Sequence, residues 1–196
     1  MRARIYTIST LMLALGLLFT TSAVNAQEIQ WMSWNEAVAQ WQKDMEAYNA
    51  EPDKDKKVPP KKFFIDVYTS WCGWCKKMDA STFKDPNIVQ YMNQKYYAIK
   101  LDAEMSEAVD FNGHTFVNPS PGQRRSTHQL ASSLLDNHLS YPSYVILDEN
   151  THRITIYKGY KQAMDMFGIL TFFGSNQYLT YKEYLSKQPK AAEPNN

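Results

Sequence analysis

This sequence of 196 residues has few histidines, a net charge close to zero and few long apolar runs. The four histidines have no ligand-type spacing, and a single Cys-x-x-Cys pair supplies only two of the four ligands that a structural zinc needs. We therefore expect no metal site. The formal net charge of +1 gives no electrostatic case for binding nucleic acid or an anionic membrane.

The most apolar run, Leu11–Phe19, is short for a membrane span. It follows a basic start and precedes small residues that end at Ala26, which is the layout of a secretory signal peptide. We expect cleavage after residues 1–26 and no stable membrane insertion afterwards; tethering by an uncleaved signal is the alternative. Without Arg2 and Arg4 the chain has 19 basic and 20 acidic residues, a net charge of −1.

The composition of the remaining chain is that of one ordinary globular domain with additions, at 44% apolar and 21% charged residues. Residues 27–62 predict a short strand, a helix and a charged linker, because Ser33 and Glu36 have the spacing of a capping box at a helix start. Residues 63–188 predict the main domain, and residues 189–196 a flexible polar tail. No internal repeat is present.

An α/β domain is predicted by the order of elements around the cysteines. The run FFIDVY (63–68) is too short for a helix and apolar on both faces, as in a buried parallel strand. Asp85 and Pro86 then suit the first positions of a helix, and YYAIKLD (96–102) suits a second strand. This order indicates a β-α-β unit.

Cys72 and Cys75, the only cysteines, lie within one helical turn after the first strand. A disulfide closing so small a loop stabilises a fold by only about 2 kcal/mol, so the pair suits exchange better than stapling. At a helix start, backbone N–H groups and the helix dipole favour a thiolate. We therefore predict Cys72 as the nucleophile and Cys75 as the buried resolving thiol.

Asp66 interrupts the apolar strand just before the cysteines. In a strand buried on both faces its carboxylate lacks solvation, so its pKa should rise. A weak acid beneath the pair could accept and return the proton of Cys75. The alternative is an edge-strand aspartate that points to water.

Pro142 lies directly before the strand-like run YVIL, where a proline marks a strand start or a cis turn.

Residues 103–141, which we call the insertion, have a looser pattern: a hairpin or irregular loop, then a helix over 127–139. Residues 111–126 form a long segment of turn residues that carries Phe111, Phe116, Arg124 and Arg125. We expect it to line the approach to Cys72 and select the partner; an inert surface elaboration is the alternative.

The runs FFIDVYTSWCGWCKKM, YPSYVILD and YKGY resemble the thioredoxin superfamily in order and spacing. The likeness is greatest to exported thioredoxin-like proteins of Gram-negative envelopes. It implies a thioredoxin-like fold, with a central mixed sheet flanked by helices and the insertion before the strand of a cis-proline, Pro142. By this resemblance Trp71, Trp74, Tyr141 and Pro142 contact the substrate.

The function implied is an exported thiol–disulfide oxidoreductase that needs no cofactor and acts on cysteine-containing exported proteins. Gly73 and Trp74 between the cysteines carry no charge, which favours a reductase or electron relay over an oxidase. Such a protein in the periplasm needs a membrane electron donor. Secretion, a disulfide oxidase or isomerase, and a non-catalytic thioredoxin-fold binding module remain alternatives.

Overall fold

A five-stranded mixed sheet organises residues 28–186, the part of the chain that this computed structural model describes. The strand order is β1-β3-β2-β6-β7, and a separate hairpin pairs β4 with β5. The strands are β1 (Trp31–Met32), β2 (Lys62–Tyr68), β3 (Tyr96–Asp102), β4 (Val109–Phe111), β5 (His114–Phe116), β6 (Ser143–Leu147) and β7 (Arg153–Lys158).

Within residues 28–186 six α-helices accompany these strands, and a 3-10 turn at Thr82–Lys84 follows the second helix. The predicted helix starts are confirmed, because Ser33 and Glu36 form a reciprocal capping box and Asp85 caps the helix that Pro86 begins. The helices are α1 (Trp34–Ala50), α2 (Gly73–Ala80), α3 (Pro86–Lys95), α4 (Gln129–Leu134), α5 (Ala163–Gly174) and α6 (Gln177–Ser186).

The central strand β2 is paired on both sides, in parallel with β3 and antiparallel with β6. Its side chains alternate between two apolar layers, as a strand period of two requires. Phe63, Ile65 and Val67 face a core shared with α1 and α4, whereas Phe64 faces a core shared with α2, α3 and α5. The alternation directs Asp66 to the same side as Phe64, toward the layer that carries Cys75.

The insertion leaves β3 at Ala103 and returns through α4 to β6. Its base is closed by a hydrogen bond from the His128 N–H to the Ala103 carbonyl, at 2.8 Å. The fully buried His128 ring also accepts the Leu130 N–H at Nδ1, at 3.1 Å, and its Nε2 lies 3.0 Å from the Glu107 carbonyl. The ring is therefore neutral, with the proton on Nε2, and it fixes the insertion to the domain.

We expect acidification to loosen the insertion, because burial lowers the pKa of His128. Its pKa in the folded protein lies below the unfolded value of about 6.5, so its contribution to stability is complete above pH 6.5 and is lost as the pH falls further. The free energy of unfolding should fall by at most about 1.4 kcal/mol per pH unit. His128→Asn keeps an acceptor for the Leu130 N–H but does not titrate.

Urea unfolding of both proteins at pH 7.5 and pH 5 measures this effect. The wild type should lose more of its unfolding free energy between the two pH values than His128→Asn does. The same pH dependence in both proteins would contradict the assignment.

The helix predicted over 127–139 is shorter in the structure and ends at Leu134. Asp136 and Asn137 adopt left-handed backbone angles, with φ of 52° and 59°, which an α-helix does not continue through. The Arg153 guanidinium binds the carbonyls of Ser133 and Leu134 and so satisfies two of the free acceptors at this helix end.

The predicted fold class is confirmed: an α/β, thioredoxin-like fold with a mixed central sheet, flanking helices and an insertion before the cis-proline strand. Within residues 28–61, β1 pairs with β3 in this sheet and α1 packs against the core beside it. The predicted domain limits stay predictions. The predicted signal peptide (1–26) and the predicted tail (189–196) lie outside the described residues. Within residues 28–186 no helix is both long and apolar enough to cross a membrane.

Candidate functional site

The two cysteines lie at the end of the sheet where β2 finishes, which we call the redox edge. Cys72 caps the start of α2, and the Cys75 N–H donates to the Cys72 sulfur at 3.1 Å. The two sulfurs form a disulfide. Both residues are nearly buried, Cys72 with 5% and Cys75 with 2% exposure. A backbone donor is thus already directed at the sulfur of Cys72, and the prediction that this sulfur becomes the attacking thiolate stays a prediction.

Pro142 lies at the same edge, because β6 begins beside the end of β2, with Ser143 opposite Val67. The Tyr141–Pro142 peptide bond is cis, as the resemblance implied. The Pro142 carbonyl accepts the Gly159 N–H at 2.8 Å, which ties the proline to the end of β7.

Two exposed tryptophans flank the disulfide. Trp71 is 54% exposed and packs edge-on against Tyr141, with ring centroids 5.8 Å apart. Trp74 is 56% exposed and contacts Tyr160 at 5.4 Å, with the Lys77 ammonium over both rings. The structure therefore brings Trp71, Trp74, Tyr141 and Pro142 together at the redox edge, and their contact with a substrate stays a prediction.

Asp66 lies beneath this edge, in the central strand, and is only 1% exposed. The alternative, an edge-strand aspartate that points to water, is therefore wrong. Its Oδ2 accepts a hydrogen bond from Lys100 at 2.5 Å, and the same ammonium binds Asp79 of α2. Since Asp79 follows Cys75 by one helical turn, this cluster of Asp66, Lys100 and Asp79 lies on the face of α2 that carries Cys75.

Burial raises the pKa of Asp66 to about 6; the Lys100 ammonium opposes that rise and the Asp79 charge adds to it. Burial alone would lower the pKa of Lys100, but the two carboxylates raise it above its usual value. Asp66 Oδ1 has no hydrogen-bond partner among the described residues. One oxygen of a weakly acidic carboxyl is therefore free to take a proton near neutral pH.

Sequence reasoning missed Lys100, Asp79 and Tyr144. Lys100 lies directly beside Asp66 in the parallel pair, and Tyr144 lies opposite Asp66 in the antiparallel pair. The Tyr144 hydroxyl is buried without a partner in the described chain, and burial raises its pKa. The available signal was one charged residue inside each of two predicted apolar strands; the observed strand bounds then place both residues at the fifth position.

The insertion reaches the redox edge on the Trp71 side. The Trp71 indole donates to the Glu104 carboxylate at 3.0 Å. A groove of about 320 Å³ lies there, lined by Trp71, Glu104, Arg125, Thr127, Leu139 and Tyr141, among others. Arg125 belongs to the segment 111–126 that was predicted to line the approach to Cys72. Selection of a partner by this segment stays a prediction.

No group of three or more His, Cys, Asp or Glu side chains within residues 28–186 could hold a metal ion.

Comparison with known proteins gives a family match that includes both cysteines and Asp66. The family model Thioredox_DsbH, described as "Protein of unknown function, DUF255", matches residues 21–123, more than half of the chain. A Caenorhabditis elegans protein, "Uncharacterized protein B0495.5", is 27% identical over 127 residues. That alignment covers 65% of this chain but 13% of the C. elegans protein.

Solved structures with similar folds have low sequence identity. A structure titled "DsbH Oxidoreductase" is 15% identical, with 87% of this chain and 94% of that chain covered and a TM-score of 0.45. A thioredoxin from Thermus thermophilus is 11% identical, with 86% and 99% covered and a TM-score of 0.49.

Proposed function

Because the chain belongs to the Thioredox_DsbH family, we propose that it is an exported thiol–disulfide oxidoreductase that reduces protein disulfides or relays electrons to them. The observation that carries this proposal is the Cys72–Cys75 pair at the start of α2, with a backbone N–H on the Cys72 sulfur and a buried acid beneath. A Cys-x-x-Cys pair placed in this way suits reversible exchange.

The reaction proceeds in two exchange steps when the pair starts reduced. The Cys72 thiolate attacks one sulfur of the substrate disulfide, forms a mixed disulfide and releases the other sulfur as a thiolate, which takes up a proton. The Cys75 thiol then loses its proton and attacks the Cys72 sulfur. This step closes the Cys72–Cys75 disulfide and releases the second substrate thiol, so two electrons pass to the substrate.

Asp66 is proposed as the group that takes the Cys75 proton in the second step. A general base works best when its pKa is near the working pH, and a pKa of about 6 is much closer to neutrality than that of an ordinary aspartate. Lys100 keeps this carboxyl from becoming still more basic, since its charge opposes the effect of burial. Lys100 is thus a positioning residue that adjusts the proton acceptor.

The direction of electron flow is proposed to be reductive. A strong oxidant stabilises its thiolate over its disulfide, usually with a positive or donor group between the cysteines. Gly73 and Trp74 supply no charge, and the nearby Lys77 ammonium rests over the Trp74 and Tyr160 rings. Ionised Asp66 beneath the pair would further oppose a thiolate.

The periplasm is the proposed location, on the strength of the predicted signal peptide. Cysteine-containing exported proteins are the proposed substrates. Cytosolic reductases do not reach that compartment, so a membrane protein is proposed as the electron donor.

Insulin reduction and the equilibrium potential against glutathione test the proposal together. We expect turnover of insulin disulfides with dithiothreitol as the reductant, and a potential in the range of about −200 to −270 mV typical of reducing thioredoxin-type pairs. Turnover with a potential near −120 mV would mean an oxidase instead. No exchange with any disulfide would favour a non-catalytic binding module. In cells, thiol alkylation should find the pair mostly reduced.

A further inference from the structure

We propose that the groove beside Trp71 binds an acidic side chain of the substrate, and that Arg125 recognises it. This inference rests on the proposed function, because it assigns a specificity to the same redox edge. The groove holds about 320 Å³, enough for one side chain of an extended peptide rather than for a folded element.

The groove is continuous with the site of exchange. Trp71 precedes Cys72 and Tyr141 precedes Pro142, and the two rings contact each other on the groove wall. Leu139, 44% exposed, adds an apolar surface. A peptide whose cysteine is bonded to Cys72 therefore has a residue within a few positions of that cysteine over the groove.

Two charged side chains line the groove, and they differ in whether they already have a hydrogen-bond partner. The Glu104 carboxylate accepts the Trp71 indole N–H, and Asp102 accepts the Glu104 backbone N–H at 2.9 Å. Arg125 is exposed, and its guanidinium has no ion-pair or hydrogen-bond partner in the part of the chain that the structure describes. It is also the one basic residue of the groove lining there. A guanidinium binds a carboxylate through two parallel hydrogen bonds, so an acidic side chain is the fitting partner.

A buried amide in the insertion connects the segments that carry Glu104 and Arg125. Asn118, 6% exposed, donates to the carbonyls of Glu104 and Met105 at 3.2 and 3.0 Å. Its oxygen accepts the hydroxyl of Ser126, the neighbour of Arg125. Arg125 itself has a φ of 61°, a left-handed conformation that costs free energy for an arginine and that the surrounding loop maintains. Asn118 is therefore a positioning residue for the recognising cation.

The test uses peptides that each carry one cysteine in a mixed disulfide with an uncharged thiol. Glutamate, glutamine or lysine is placed at each of the four positions before and after that cysteine. We expect the reduced protein to react about five-fold faster with the glutamate peptide than with the glutamine peptide at one or two positions, as an exposed ion pair allows. The difference should shrink at high salt.

Substitutions separate recognition from chemistry. Arg125→Gln should remove the preference for glutamate, and Arg125→Glu should reverse it toward lysine. Both variants should reduce hydroxyethyl disulfide, which is uncharged, at the wild-type rate. Arg124→Gln is the matched control, because Arg124 is exposed but does not line the groove. It should keep the preference.

Equal rates with all three peptides at every position would overturn the inference, as would an equal loss in Arg124→Gln. If the protein reduced no disulfide at all, the proposed function would fail instead. Equilibrium binding of the peptides, with serine in place of cysteine, to the oxidised protein would then decide the inference: tighter binding of the glutamate peptide supports it, and equal binding overturns it.

Discussion

Replacing Cys75 with serine is expected to arrest the reaction at the mixed disulfide, so that substrate proteins remain covalently bound to Cys72. The first attack needs only the Cys72 thiolate, which still lies at the start of α2 with a backbone N–H at its sulfur. The second step has lost its nucleophile. Turnover of insulin should fall to the uncatalysed rate, while non-reducing gels of cell extracts show adducts that dithiothreitol releases.

The matched variant is Cys72→Ser. It should also have no turnover, but it should form few adducts, because Cys75 lies inside α2 and lacks the helix-start position that favours a thiolate at Cys72. Trapping that required Cys72→Ser with Cys75 intact would reverse the assignment of nucleophile and resolving thiol.

The second large effect concerns Asp66, where stability and exchange are expected to change in opposite directions. Burial raises the pKa of Asp66 from 3.8 to about 6, so the folded protein binds its proton more tightly than the unfolded chain does. This contribution to stability is fully present below pH 3.8 and is lost as the pH rises through about 6. The Asp66→Asn side chain does not ionise, so the variant avoids this loss. Its unfolding free energy at pH 7.5 should exceed that of the wild type by up to about 3 kcal/mol.

The same substitution removes the proposed proton acceptor and should slow the second exchange step by roughly ten-fold or more. Urea unfolding at pH 4 and pH 7.5 measures the first effect, and stopped-flow exchange measures the second. At pH 4 the two proteins should differ little in stability. Asp79→Asn is the control, since its side chain is 43% exposed and its change in stability should be much smaller. Unchanged stability and unchanged exchange in Asp66→Asn would exclude the assigned role.

The elements nearest the cysteines could be predicted from sequence because their signals are local. An apolar strand too short for a helix, and an aspartate and proline at a helix start, depend on neighbouring residues alone. The burial of Asp66 followed from the same reasoning, since a strand that is apolar on both faces lies inside a sheet. The cis bond before Pro142 came from resemblance, because one proline in a sequence allows several conformations.

Contacts between distant segments could not be predicted in this way. Lys100 meets Asp66 only when the register of β2 against β3 is known, and Asp79 joins them only when the packing of α2 is known. The extent of α4 was overestimated for a different reason. The run THQLASSLLDNHL has good helix formers, but the left-handed Asp136 and Asn137 end the helix early.

The hydrogen bond between the His128 N–H and the Ala103 carbonyl determines how the length of the insertion affects the entropy cost of folding. Most of the insertion is a loop whose two ends are held together, and the cost of closing a loop grows only with the logarithm of its length. Each doubling costs about 0.6 kcal/mol. Evolution can therefore lengthen, shorten or replace the segment between these two residues without altering the register of β2, β3 and β6. On the prediction that this segment selects the partner, substrate preference is free to drift while the proposed cysteine chemistry is inherited unchanged.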